Sequence, residues 1–142
     1  MLLIDVNVLI YAYRRESRDH AAYHGWLENT LHREPAIGLP DIVLSAVLRL
    51  LTNPRMYRAP TPLESALEYV QGLREQSACL AVAPGPKHWP IFVSLCRAAG
   101  ARGNLVTDAY LAAIAVEQGA ELITTDRDYA RFPGRRWRHP LG

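Results

Sequence analysis

The feature that most constrains this chain is an alternation of short β-like apolar runs with longer helical patterns. Leu2–Asp5, Ala36–Leu39, Cys79–Ala83 and Leu122–Thr125 read as strands, because apolar residues crowd between turn-forming neighbours. Between them the apolar spacing becomes helical, over 7–13, 20–31, 41–51, 61–75, 87–99 and from Asn104 to Gly119. Strands joined by whole helices cannot pair as tight hairpins. They form a mostly parallel sheet covered by helices on both faces, an α/β fold. No repeat, low-complexity stretch or linker interrupts the pattern, so a single domain is expected over residues 1–142.

Local signals fix the helix ends and faces. Pro40-Asp41 opens the third helix, with Asp41 as its N-cap, and Asn53-Pro54 closes it. Thr61-Pro62-Leu63-Glu64 places proline at the first helical position and glutamate at the third. Asn104 reads as the cap of the last helix. On the second helix, Ala21, Ala22, Trp26 and Leu27 are expected to face inward.

Composition narrows the class. A hydrophobic share of 49% with 21% charged residues suits a globular domain rather than a disordered chain. No apolar stretch reaches the ~20 residues of a membrane span. The apolar start is broken by Asp5 and lacks a basic leader, which argues against a secretory signal and for the cytoplasm. Cys79 and Cys96 sit in apolar surroundings and read as free, packed thiols, and no Cys/His spacing matches a zinc site. The net charge is only +2, yet Arg131, Arg135, Arg136, Arg138 and His139 gather around Trp137. Interleaved basic and aromatic groups of that kind suit nucleic acid, and a solvated tail with Trp137 packed down fits equally well.

Asp5, Asp108 and Asp126 are the residues most in need of an explanation. Asp5 lies inside an apolar run, Asp108 shares a helical stripe with Leu105, Leu111, Ala112 and Ala115, and Asp126 lies just past the fourth strand, with Asp128 two residues on. Helix capping or turn closure accounts for Asp5, Asn7 or Asp128 taken singly. It does not account for Asp108 on an apolar face, where an ionised carboxylate is costly unless paired or metal-bound. In parallel sheets, sites form beyond the carboxyl ends of strands, where Asp5 and Asp126 fall. Clustered carboxylates there suit an oxygen-liganded divalent ion, Mg²⁺ or Mn²⁺, able to assist attack on a phosphodiester. His20, His24, His32 and His88 fall on helical or surface segments and are not expected to act as bases.

Read together, Ile4-Asp5-Val6-Asn7-Val8-Leu9, Asn104 to Ala113 around Asp108, and Thr124-Thr125-Asp126-Arg127-Asp128-Tyr129 resemble the signature of PIN-domain ribonucleases. The similarity is greatest to VapC-type toxins of prokaryotic toxin–antitoxin modules. The stretch Gly38-Leu39-Pro40 through Arg55 and the tail Phe132 to Trp137 also resemble a VapC subgroup. The resemblance implies a three-layer α/β/α sandwich, a Mg²⁺- or Mn²⁺-dependent endoribonuclease, a VapB-like antitoxin, a homodimer and an RNA substrate. Carried onto this chain, it assigns Asp5 and Asp108 as metal-binding acids. Asp126 becomes the acid near the fourth strand, with Asp128 a second candidate. Asn7 is the polar neighbour of the first aspartate, and Thr124 or Thr125 a nearby hydroxyl. Arg135, Arg136 and Arg138 are candidate substrate contacts.

One departure stands out. PIN domains mostly carry a glutamate on the helix after strand 2, and here Val47 occupies that position, leaving the number of metal ions open. Asp41 is the nearest carboxylate. Arg49 is a candidate to face the site, meeting phosphate or pairing with an aspartate. Two other readings compete: a non-catalytic RNA- or antitoxin-binding module, and a haloacid dehalogenase-like phosphatase, which resembles a pattern with aspartate where this chain has Asn7.

Overall fold

The computed structural model describes residues 1–134 and 136–142. In chain order the elements are β1 (Leu2–Ile4), α1 (Val6–Tyr13), α2 (His20–Arg33), β2 (Ile37–Gly38), α3 (Asp41–Leu51), α4 (Leu63–Arg74), β3 (Cys79–Leu80), α5 (His88–Ala99), α6 (Asn104–Gln118), β4 (Glu121–Ile123), a 3-10 turn (Arg127–Arg131) and β5 (Arg136–Arg138). All pairings are parallel and the sheet order is β3-β2-β1-β4-β5.

That order determines where a site can form. The chain steps outward from β1 to β2 to β3, then crosses back to β4 on the other side of β1. Parallel crossovers are right-handed, so α1–α4 cover one face of the sheet and α5–α6 the other. The strand order therefore reverses between β1 and β4, and the crevice at that reversal is where α/β sheets bind ligands. Leu3, Ile4, Leu122 and Ile123 are fully buried beneath it, and Ala112, Ala113 and Ala115 let α6 approach closely.

Several local expectations need correction. β3 stops at Leu80, not Ala83. Leu39 donates the last ladder bond to Leu80, and Pro40 has no N–H with which to continue it. α2 turns Tyr23, Leu27 and Thr30 inward while Ala21 and Ala22 are exposed, and Trp26 is only half-buried. The Tyr23 ring offers far more apolar area than an alanine methyl and packs 5.2 Å from Tyr11, so it sets the rotation of the helix. α4 and α6 start one residue differently: Pro62 and Gly103 are the caps, and neither Thr61 nor Asn104 caps through its side chain. β5 was not expected as a strand. It is an Arg-Trp-Arg edge whose charges discourage further pairing.

Candidate metal centre

β1 ends where Asp5 begins α1. The Asp5 backbone is extended, its N–H bonds to the Ile123 carbonyl, and its Oδ1 accepts from the Val6 N–H at 2.7 Å. Its other oxygen, Oδ2, accepts from the Thr124 hydroxyl at 2.7 Å. Asp5 is thus a helix cap and part of the switch-point crevice at once. Burial pushes its carboxyl above the ordinary range, the two hydrogen bonds pull it back, and nearby Asp126 raises it further.

Thr124, the first residue after β4, is fully buried. Its hydroxyl donates to Asp5 and accepts the Asp126 N–H at 3.0 Å, so one side chain fixes both acids. Thr125 is half-buried and makes no side-chain hydrogen bond among the described residues, which singles out Thr124 as the hydroxyl at the site. Asp126 caps the 3-10 turn by accepting the Asp128 N–H at 2.8 Å. Asp128 itself is exposed and sits 3.8 Å from Arg131.

Asp108 enters from the other layer, in the second turn of α6, half-buried. Its carboxyl is pushed up to about 6, first by burial, then by Asp126 and Asp5, against a lowering bond from the Tyr129 hydroxyl at 3.4 Å. Tyr129, buried in the 3-10 turn, stands in the Thr124–Tyr129 stretch without a role of its own there, because a tyrosine three residues past an aspartate carries no local signal. Among the described residues no arginine or lysine pairs with Asp5, Asp108 or Asp126.

The result is a cluster of carboxylates without a basic partner among the described residues, with oxygen donors only, the chemistry that Mg²⁺ or Mn²⁺ fits. It is not a closed cage. No three His, Cys, Asp or Glu side chains among the described residues enclose one cation position. Mg²⁺ needs fewer protein ligands than that, since it binds through one or two carboxylates and keeps several waters.

The remaining candidates lie elsewhere or act differently. Asn7 is half-buried in the first turn of α1 without a side-chain hydrogen bond among the described residues. Val47 is fully buried in the core, and Arg49 is exposed and forms no ion pair with an aspartate among the described residues. Asp41 is not the N-cap of α3: Pro40 is, and the Asp41 carboxylate accepts from Arg74 at 2.8 Å. Arg136 donates to the Gly119 carbonyl at 3.3 Å and Arg138 to Glu121 at 2.7 Å, both on the surface. Arg135 lies outside the described residues. The rings of His20, His24, His32 and His88 each meet a backbone carbonyl, of Tyr11, Ala12, Glu28 and Tyr110 respectively. A separate groove of about 650 Å³ opens between α1, α2 and α4, walled by Tyr13, Leu27, Leu31, Tyr69 and Leu73.

A parallel α/β sandwich with an acidic rim at its strand-order reversal defines the class. Comparison with known proteins then fixes the family. The PIN-domain family model matches residues 2–135, so the chain belongs to the PIN-domain family. It is 43% identical over 141 residues to VapC ribonuclease Mb2897 of Mycobacterium bovis, covering 99% of this chain and 96% of that one. Ribonuclease VapC25 of Mycobacterium tuberculosis is 38% identical over 140 residues, with 99% of each covered. Among solved structures, the fold matches VapBC2 from Rickettsia felis bound to a promoter DNA fragment, with a TM-score of 0.72 at 17% identity over 97% of each chain. A toxin–antitoxin complex from Klebsiella pneumoniae gives a TM-score of 0.64 at 20% identity, covering 99% of this chain and 98% of that one. No helix among the described residues is long and apolar enough to cross a membrane.

Proposed function

We propose that this protein is a Mg²⁺- or Mn²⁺-dependent endoribonuclease, the toxin of a VapBC-type module. It works as one PIN domain, in the cytoplasm, as a homodimer held in check by a VapB-like antitoxin. The observation that carries this reading is the acidic crevice between β1 and β4, whose aspartates pair with no arginine or lysine among the described residues, in a chain whose relatives are named VapC ribonucleases. Asp5, at the end of β1, and Asp108, on α6, would hold the ion, and Asp126 would add charge beside them. When bound, a divalent ion supplies charge neutralisation and polarisation for in-line attack of water on a phosphodiester. Thr124 aims Asp5, and its donated hydrogen bond favours the charged carboxylate against the burial that raises it. Exposed Arg136 and Arg138, with Arg135 between the turn and β5, are the basic groups offered to RNA phosphates.

The test is cleavage of a structured RNA with Mg²⁺ by the wild type and by Asp5→Asn and Asp108→Asn. Both variants are expected to lose at least 100-fold in rate, in line with removal of a group that acts on developing charge (roughly 10²–10³). Undiminished cleavage by either refutes the assignment. The apolar Val47 at the helix position gives a second reading some footing, a PIN module that binds RNA without cutting it. Equal RNA binding in EDTA and in Mg²⁺, with no product, is its signature.

A further inference from the structure

The 3-10 turn Arg127–Arg131 bridges the two halves of the acidic crevice. Its first bond belongs to Asp126, which caps it, and three residues later Tyr129 points its hydroxyl into the same crevice. The ring is buried to 1% exposure and packs edge-on against fully buried Phe132, with centroids 5.9 Å apart, so the phenol cannot swing away. A phenol hydroxyl carries one hydrogen to donate. The Tyr129 hydroxyl oxygen lies 3.4 Å from Asp108 Oδ1, to which it donates.

We propose that Tyr129 is a positioning residue for the cation site: its hydroxyl anchors one oxygen of Asp108, fixing the angle at which the carboxylate presents the other to a divalent ion. This inference rests on the metal reading above and adds a residue to it. Asp108 sits on α6 while Asp5 and Asp126 follow strands of the sheet, and this turn links the two sets, capped by Asp126 at one end and reaching Asp108 through Tyr129. Outer partners of metal ligands orient the donor atoms, and their loss typically lowers metal affinity by about 10–100-fold. A bond of this length belongs at the lower end of that range.

The experiment is Mn²⁺ binding by calorimetry on wild type, Tyr129→Phe, Asp108→Asn and the double variant, with thermal unfolding in EDTA run alongside. Phenylalanine keeps the buried ring and removes only the hydroxyl. The expected result is an affinity for Mn²⁺ about tenfold weaker in Tyr129→Phe, with RNA cleavage restored towards wild type at high Mn²⁺. In the Asp108→Asn background the Tyr129→Phe change then has no further effect on residual binding, because the tyrosine acts through that carboxylate. Mn²⁺ affinity within twofold of wild type overturns the proposal and leaves the metal reading standing. Additive losses in the double variant also overturn it, since a general loosening of the turn would give them. A wild type that binds no Mn²⁺ removes both the metal reading and this one.

Discussion

Replacing Asp108 with asparagine should make the metal-free protein more stable at neutral pH, although the same change is expected to cost at least the 100-fold in cleavage rate proposed above. The side chain keeps its size and can still accept from Tyr129, while the charge is gone. The Asp108 carboxyl is pushed up from 3.8 to about 6, a shift worth about 3 kcal/mol against the ionised folded state at 1.36 kcal/mol per unit. Asp108 is only half-buried, so solvent screening reduces this to about 1–2 kcal/mol. The sign follows from linkage. A carboxyl raised on folding costs stability once pH exceeds about 6, and the cost fades as pH falls and vanishes below about 4, where folded and unfolded forms are both protonated. Thermal unfolding in EDTA at pH 7.5 should show Asp108→Asn higher by about 3–6 °C, with the gain disappearing near pH 4. Saturating Mg²⁺ should reverse the ranking, because a ligand that binds only the folded wild type stabilises it. A variant no more stable than wild type in EDTA at pH 7.5, or a gain independent of pH, refutes this account of the crevice.

Thr124→Val should cost about 2 kcal/mol in urea unfolding, since a buried acceptor on Asp5 and the Asp126 N–H both lose their partner. Asp41→Asn should leave Mn²⁺ affinity unchanged and stability within about 1 kcal/mol, because its exposed partner is Arg74. Val47→Glu should not restore a ligand but unfold the chain, as a fully buried charge on α3 costs several kcal/mol; soluble yield and circular dichroism will show it.

Much of this architecture is legible in the residues because local chemistry and global fold agree there. An apolar run broken by Asp5 gives β1 and its carboxyl end, and the Leu105–Ala115 stripe gives α6 with Asp108 on it. The proximity of Asp5 and Asp126 follows once strands 1 and 4 are neighbours, an adjacency that the sequence pattern alone does not fix. What stays hidden depends on distant partners. Asp41 reads as a cap locally, but its carboxylate is taken by Arg74, 33 residues away. β5 has no apolar run to announce it, only a ladder to β4 through Arg136, Trp137 and Arg138. Tyr129 carries no periodic signal, and its inward aim is set by the turn that Asp126 caps.

The central claim is that the rim between β1 and β4 grips a divalent ion through acids from two layers. Anomalous diffraction from crystals grown in saturating Mn²⁺ tests it most directly. The account predicts a peak within about 2.0–2.5 Å of carboxylate oxygens of both Asp5 and Asp108. A map with no peak there, or with Mn²⁺ only at other surface acids, contradicts it.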